Sequence, residues 1–158
     1  MINETLNQKK NLRKILTEKR NLIKKNTNLE FNIEAFNQLT EQIKFNAIDC
    51  IGSFMSIRSE ISTKQLNTTI LKMKKKLAFP TIEKNLETLT FKTTNSHKSF
   101  KMGKFNIPEP TNDNYEIIPQ LFFVPCLGFD LKGFRIGYGG GFYDKTFAKL
   151  KKLNLAFY

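Results

Sequence analysis

The chain has 158 residues, of which 40% are apolar, and a chain of this size and apolar content suits a single compact domain with its own core. Its 26 lysines and arginines against 14 acids give a net charge of +12, which favours anionic partners such as nucleotides, folates, nucleic acids or membrane surfaces. The longest apolar run, LFFVPCLGF, is far below the roughly 18 residues of a membrane span, so we expect no membrane segment and a cytoplasmic location.

Two cysteines, Cys50 and Cys126, stand among apolar residues without metal-ligand spacing. They predict small buried residues in a reducing compartment and argue against a disulfide framework. His97 is the single histidine and lies in a polar segment, which disfavours both a zinc site and a histidine-based nucleophilic mechanism.

The first half of the chain predicts helices alternating with strands. Apolar residues recur at helical spacing over residues 3–25, with lysines between them, which indicates a long amphipathic helix. Further periodicity predicts a second helix over 32–46, a buried strand over 47–56 and a third helix over 63–76.

The second half predicts short strands around one loop and one helix: strands over 76–80, 86–92, 121–129 and 153–157, and a helix over 142–152. The segment 93–119 is rich in Asn, Pro and Lys and predicts a loop long enough to suggest a function. Strands that alternate with helices predict a three-layer α/β/α single domain with a mostly parallel sheet.

The strongest functional signal is RIGYGGGFYDK, residues 135–145. Successive glycines let backbone N–H groups approach phosphate oxygens, and a helix that follows presents its positive N-terminus. The pattern is neither the P-loop, because no Gly-Lys-Ser/Thr follows, nor the dinucleotide fingerprint, because Phe142 replaces its final glycine. The alternative interpretation is a tight structural turn.

Charged residues flank this segment on both sides. Arg135 could bind phosphate with two parallel hydrogen bonds, and Asp144 could hold a magnesium ion that bridges phosphates. The alternatives are a surface hairpin arginine and an acidic residue favoured by the dipole of a helix N-terminus.

Four groups of residues together carry a resemblance: Lys9, Leu12 and Arg13; SEIST at 59–63; NIPEP at 106–110; and VPCLGFDLKGFRIGYGGGFYD at 124–144. In this order and spacing the chain resembles the 5-formyltetrahydrofolate cyclo-ligase family, also called methenyltetrahydrofolate synthetases, over nearly its whole length. The resemblance implies an ATP- and magnesium-dependent ring closure. The formyl oxygen of 5-formyltetrahydrofolate is phosphorylated, the other folate nitrogen attacks the activated carbon, and phosphate leaves to give 5,10-methenyltetrahydrofolate.

The resemblance also implies roles for individual residues. The nucleotide positions are Lys9, Arg13, Arg135, Gly137, Gly139, Gly140, Gly141 and Tyr143. The folate positions are Met55, Glu60, Phe105, Tyr138 and Phe142. Asp144 matches the magnesium ligand, while Arg135 and Tyr138 match catalytic positions. The alternative for Glu60 alone is a surface acid at a strand end.

Two departures leave other functions open. Thr81 stands where the family usually has a basic residue, and the family continues beyond the 153–157 strand with a second metal-associated aspartate. A truncated, catalytically weak homologue that binds folate or nucleotide is therefore an alternative. A basic nucleic-acid module is a further one, because KMKKK at 72–76 is basic, but it lacks interleaved aromatic residues. We expect a reduced folate, possibly polyglutamylated, as the partner of a monomer or homodimer, and neither nucleic acid nor membrane.

Overall fold

A computed structural model of the protein describes residues 2–27, 31–83, 87–94, 100–111 and 114–152. The helices are α1 (Ile2–Asn26), α2 (Ile33–Gln42), α3 (Lys64–Lys72) and α4 (Phe142–Lys152). The strands are β1 (Cys50–Gly52), β2 (Lys76–Thr81), β3 (Thr90–Thr93), β4 (Phe100–Met102), β5 (Pro108–Pro110), β6 (Leu121–Phe122), β7 (Gly128–Phe129) and β8 (Arg135–Ile136).

The central sheet has four strands in the order β3-β2-β1-β6. Strand β1 runs parallel to both β2 and β6, and Ile51 lies opposite Leu77 on one side and Leu121 on the other. Strand β3 pairs antiparallel with β2 at the sheet edge. The prediction of a mostly parallel sheet is therefore confirmed.

Each face of this sheet is covered by its own apolar cluster. Because successive strand residues point to opposite faces, Ile51 packs with α2 and α3, whereas the adjacent Cys50 packs with α4. The first cluster includes Phe36, Leu66, Ile70, Leu77, Phe79 and Leu121. The second includes Ala78, Phe91, Phe122 and Leu150. Helices on both faces of one sheet confirm the three-layer α/β/α architecture.

Three of the predicted helices differ from expectation in length or burial. Helix α2 ends at Gln42 because the backbone of Ile43 is extended, with φ −114° and ψ 161°. A short 3-10 turn follows and places Phe45 edge-on to Phe36, with 5.9 Å between ring centroids. Helix α3 ends at Lys72 because Lys74 adopts a left-handed φ of +58°. Helix α1 has the predicted length, but Ile15 on its apolar side is 54% exposed. No helix in the described ranges is long and apolar enough to cross a membrane.

The predicted strands are shorter than expected. Only Cys50–Gly52 pairs within 47–56, and 121–129 divides into β6 and β7, since Pro125 between them has no N–H to donate to a ladder. The segment 93–119 was predicted as a loop, but it contains the antiparallel hairpin of β4 and β5, whose cross-strand bonds the composition did not reveal. The predicted strand over 153–157 and His97 lie outside the described residues.

Gly52 is required by close packing at the centre of the sheet. A Cβ at this position would lie 2.9 Å from Cδ1 of Phe122, 3.1 Å from Cγ of Pro119 and 3.2 Å from Cε1 of Phe91. We expect Gly52→Ala to lower the free energy of unfolding by about 1–3 kcal/mol, the usual cost of overpacking, as measured by urea denaturation.

Gly137→Ala is the matched control for this substitution. The nearest atom to its new Cβ is Nη1 of Arg135 at 3.6 Å, an ordinary contact, so its stability should change little. Equal losses in the two variants would contradict the packing argument.

Candidate functional site

The candidate site lies beyond the carboxyl ends of the parallel strands, where sheets of this kind bind their ligands. Strand β1 leads into the turn that contains Ser59 and Glu60, and β6 leads through Cys126 into the β7–β8 hairpin. Strand β8 in turn leads into the glycine segment and α4. The predicted order of strand, glycine loop and helix is confirmed.

The glycine loop, defined as residues 137–141, needs glycine at two positions for backbone reasons. Gly139 has φ +108° and Gly141 has φ +68°, both in the range that side chains disfavour. The Gly141 carbonyl accepts the Lys145 N–H at 2.9 Å, which makes it the first acceptor of α4. The loop therefore ends at the positive N-terminus of an 11-residue helix, a suitable environment for phosphate.

Arg13 of α1 contacts this loop. Its Nε donates to the Gly137 carbonyl at 2.9 Å, and a Cβ on Gly139 would lie only 3.4 Å from its guanidinium carbon. Lys9 is exposed one turn earlier on α1, and within the described part of the chain no residue forms a hydrogen bond or ion pair with its ammonium group. The structure therefore brings Arg13, but not Lys9, to the loop.

Arg135 and Asp144 pair across the two ends of the loop. Nη2 of Arg135 lies 2.5 Å from Oδ1 of Asp144, and the Asp144 side chain is 74% exposed. The Arg135 guanidinium carbon also lies 5.6 Å from the centroid of the Tyr143 ring. A cation and a carboxylate thus stand together at the mouth of the loop, each accessible to a phosphate or to a metal ion bound with it.

Metal ligands are sparse around this pair. Among the described residues no group of three or more His, Cys, Asp or Glu side chains is arranged to hold a metal ion. Asp144 alone would supply a carboxylate oxygen, which is a ligand that Mg²⁺ prefers when substrate phosphates and water complete its coordination. The residues present therefore fit a magnesium ion that binds together with a nucleotide.

Arg20 is a site residue that the sequence analysis missed. Its Nε donates to Ser59 Oγ at 3.1 Å, its Nη1 to the Cys126 carbonyl at 3.0 Å, and its Nη2 to the Tyr138 hydroxyl. One guanidinium thereby joins α1, the Glu60 turn, the segment after β6 and the glycine loop. The available signal was its spacing, because Arg20 follows Arg13 by two helical turns and so lies on the same face of α1.

All four arginines of the chain meet at this site. Arg13, Arg20 and Arg135 are joined by Arg58, whose guanidinium carbon lies 5.5 Å from the Tyr138 ring centroid. Arg58 has a left-handed φ of +53°, and its carbonyl accepts from Lys24. A planar guanidinium can stack on an aromatic ring and direct several N–H groups at once, which lysine cannot do.

Glu60 is buried next to these arginines. It is only 9% exposed, and its Oε2 accepts the Ile57 N–H at 2.9 Å. Burial raises the pKa of the Glu60 carboxyl, opposed by hydrogen bonds from Ile57 and Tyr138 and by the positive charges of Arg20 and Arg58. The alternative of a surface acid does not fit this environment.

Two phenylalanines from distant parts of the chain also meet. The rings of Phe105 and Phe142 lie edge to face with 6.4 Å between centroids, and Phe105 is 65% exposed. Nζ of Lys104 lies 5.5 Å from the first centroid and 5.9 Å from the second. Met55 is instead partly buried against the first apolar cluster.

Tyr143 lies deeper than the rest of the loop. Its ring contacts Phe91 and Phe147 in the second apolar cluster. Its hydroxyl is buried and has no hydrogen-bond partner among the described residues, and burial raises its pKa. A buried hydroxyl normally has a partner, so this one is an exception within the described part of the chain.

Comparison with known proteins identifies the family of the chain. The model of the 5-formyltetrahydrofolate cyclo-ligase family matches residues 5–156. The 5-formyltetrahydrofolate cyclo-ligase of Haemophilus influenzae is 33% identical over 101 residues, which are 61% of this chain and 54% of that protein. The Escherichia coli K12 enzyme of the same name is 28% identical over 61% of this chain and 56% of its own. The match thus spans about half the length of these curated relatives.

Solved structures agree in fold. The NMR structure of Aquifex aeolicus 5,10-methenyltetrahydrofolate synthetase superposes with a TM-score of 0.65 at 23% identity, over 94% of this chain and 73% of that one. The Mycoplasma pneumoniae 5,10-methenyltetrahydrofolate synthetase gives 0.62 at 16% identity, over 91% and 79%. Because the family model covers nearly all of the sequence, the chain belongs to the 5-formyltetrahydrofolate cyclo-ligase family.

Proposed function

We propose that this protein converts 5-formyltetrahydrofolate to 5,10-methenyltetrahydrofolate, with ATP as co-substrate, magnesium bound with the nucleotide, and ADP and phosphate released. The observation that carries the proposal is that the Arg20 guanidinium donates both to Ser59, the neighbour of Glu60, and to Tyr138 of the glycine loop. A loop suited to phosphate therefore lies near a buried carboxylate suited to a polar heterocycle, which supports the proposal. We also infer a cytoplasmic protein, monomeric or homodimeric.

The glycine loop is the nucleotide half of the site. Its backbone and the N-terminus of α4 would bind the phosphates, with Arg13 fixing the loop at Gly137. Arg135 would exchange Asp144 for a phosphate oxygen as the nucleotide binds, which leaves the Asp144 carboxylate for magnesium. When bound, magnesium would neutralise phosphate charge.

Glu60 and the phenylalanine pair form the folate half. A buried carboxylate can accept hydrogen bonds from the amino and ring N–H groups of the pterin. Phe105, exposed and in edge contact with Phe142, would cover the pterin ring. Met55 would add an apolar contact at the same edge of the sheet.

The reaction then requires positioning and charge neutralisation from the protein. The formyl oxygen attacks the γ-phosphorus as its bond to ADP breaks, and the second folate nitrogen then attacks the activated carbon. That nitrogen releases its proton to water, and the carbon–oxygen bond to phosphate breaks. Both steps join bound reactants, so the protein needs no nucleophile of its own. Arg135 and Tyr138, beside the loop, would stabilise the charge that develops on the transferred group.

The direct test follows the absorbance of the methenyl product formed from 5-formyltetrahydrofolate with and without MgATP. We expect product only when ATP is present, with one ADP released for each folate converted. Nucleotide and folate binding without turnover would instead establish the weakly catalytic homologue, and absence of folate binding would overturn the proposal.

Replacing Arg135 tests the nucleotide half. Arg135→Ala should weaken ATP binding or turnover by about ten- to a hundredfold, the loss expected for a charge-assisted hydrogen bond of about 1.5–3 kcal/mol. Stability should fall little, because the partner Asp144 is exposed and exposed ion pairs contribute about 0–1 kcal/mol. Lys149→Ala, an exposed change at the far end of α4, is the control. Unchanged kinetics in Arg135→Ala would exclude its phosphate role.

Glu60→Gln should weaken folate binding without destabilising the fold. Folate affinity should fall by about tenfold or more, through loss of charged hydrogen bonds, while ATP affinity stays the same. Because burial raises the pKa of Glu60, its ionisation opposes folding above the unfolded pKa. The variant should therefore be more stable than the wild type at pH 7 and equally stable at about pH 3.5, where both states are protonated.

The measurements for Glu60→Gln are folate and ATP titrations and urea denaturation at the two pH values. A variant that loses stability at pH 7 would show that Glu60 is a structural residue. Equal damage to ATP and folate binding would argue against its position in the folate half.

Gly140→Val tests whether the loop backbone touches phosphate. Unlike Gly139 and Gly141, Gly140 has no positive φ, and its new Cβ would meet only the Phe142 ring at 3.0 Å. We expect a folded protein whose ATP affinity, measured by calorimetry, is reduced by at least about tenfold, because a branched side chain blocks backbone approach. ATP binding at wild-type strength would exclude the loop as the nucleotide site.

A further inference from the structure

Arg58 differs from the other three arginines in what its guanidinium contacts. The others donate to a carbonyl, a hydroxyl or a carboxylate of the site. Within the described part of the chain the Arg58 guanidinium forms no hydrogen bond or ion pair with another residue. Its contact is with the Tyr138 ring, whose centroid lies 5.5 Å from its guanidinium carbon. Arg58 is therefore an exposed cation that an aromatic ring of the glycine loop holds in position.

The backbone also holds Arg58 in an uncommon conformation. Its φ of +53° lies in the left-handed region, which is unfavourable for a residue with a side chain. The turn around it is closed by Glu60, whose N–H donates to the Ile57 carbonyl at 3.0 Å and whose carboxylate accepts the Ile57 N–H at 2.9 Å. Lys24 of α1 donates to the Arg58 carbonyl. A strained residue that its surroundings keep in place is typical of a functional site.

Arg58 lies at the junction of the two halves of the site. It belongs to the turn after β1, two residues before Glu60 of the folate half. Its guanidinium lies over Tyr138 of the nucleotide half. In the proposed reaction the γ-phosphoryl group passes from the nucleotide to the folate, and so crosses this junction.

The junction carries an excess of positive charge. The guanidinium carbons of Arg20 and Arg58 lie 5.3 and 5.5 Å from the same Tyr138 centroid. Both charges lower the pKa of the Glu60 carboxyl, against the larger effect of burial. A single carboxylate balances one of these two cations, so the junction favours a further anion.

We propose that Arg58 is a catalytic residue that binds the phosphoryl group as it moves from ATP to the formyl oxygen of the folate. The inference rests on the proposed function and adds a residue to which the family resemblance assigns no role. In this step the formyl oxygen forms a bond to the γ-phosphorus, while the bond from that phosphorus to ADP breaks and its electron pair leaves on ADP. The charge of the moving group is spread over three oxygens, and a planar guanidinium can bind two of them with parallel hydrogen bonds.

Steady-state formation of the methenyl product tests this role. Arg58→Ala should lower kcat by about ten- to a hundredfold, the loss expected for one charge-assisted contact. The KM values for ATP and folate should stay within about twofold, because a contact made only during transfer does not change ground-state binding. ADP affinity, measured by calorimetry, should also be unchanged. Arg58→Lys keeps the charge but not the paired N–H groups, so its kcat should lie between those of Arg58→Ala and the wild type.

Two further variants separate the side chain of Arg58 from its backbone. Arg58→Gly keeps the left-handed turn without strain, so its kcat should fall as in Arg58→Ala while its urea midpoint does not fall. Lys74→Ala is the matched control. Lys74 is also exposed and left-handed, with φ +58°, but it precedes β2 at the opposite edge of the sheet. This variant removes the same charge and should keep the wild-type kcat.

The outcomes distinguish the role of Arg58 from the proposed function. An unchanged kcat in Arg58→Ala overturns the role and leaves the function intact, as does a higher KM for folate at unchanged kcat. A wild-type rate in Arg58→Gly, with a lower urea midpoint in Arg58→Ala, shows that the position is structural and overturns the role. Failure of the unmodified protein to form product with MgATP overturns the proposed function and the role of Arg58 with it.

Discussion

The hydrogen bonds of one guanidinium, that of Arg20, hold the two halves of the site together. Residues of α1 are absent from both described core clusters, and apolar side chains such as Leu12 and Leu22 are 45% and 59% exposed. The helix is held mainly through its polar side, by Arg13 on the glycine loop and by Arg20 on the same loop and two other segments. Since the same bonds connect the loop to the Glu60 turn, attachment of α1 and assembly of the site are one event.

The charged side chains of the site form an ion pair that a ligand could replace at little cost. Arg135 and Asp144 form an exposed pair, and such a pair contributes about 0–1 kcal/mol in water. Separating it therefore costs little, and a phosphate with a divalent cation can satisfy both partners at once. Glu60 is different, because its buried carboxylate opposes folding at neutral pH. Buried ionisable groups with shifted pKa values are typical of functional sites.

The sequence predicts best those elements whose bounds depend on neighbouring residues in the chain. Helix α4 has the predicted bounds, because the glycine segment defines its start and apolar periodicity its length. The strands over 47–56 and 121–129 were predicted too long, because pairing depends on partners such as β2 that periodicity does not show. Phe105 and Phe142 are brought together by the β4–β5 hairpin, which no local sequence pattern predicted. Arg20 was missed because, in a helix rich in lysine, one more cation resembles a solvated surface residue.

Lysine and arginine have different roles in this strongly basic chain. Most of the positive charge is lysine, and lysine on a surface raises the local concentration of anions without specifying their geometry. The chain has only four arginines. Arg20 donates in several directions, Arg58 and Arg135 lie over tyrosine rings, and Arg13 donates to the glycine loop. Net charge therefore indicates only the class of partner, an anion, whereas the clustered arginines distinguish the candidate site from the rest of the basic surface.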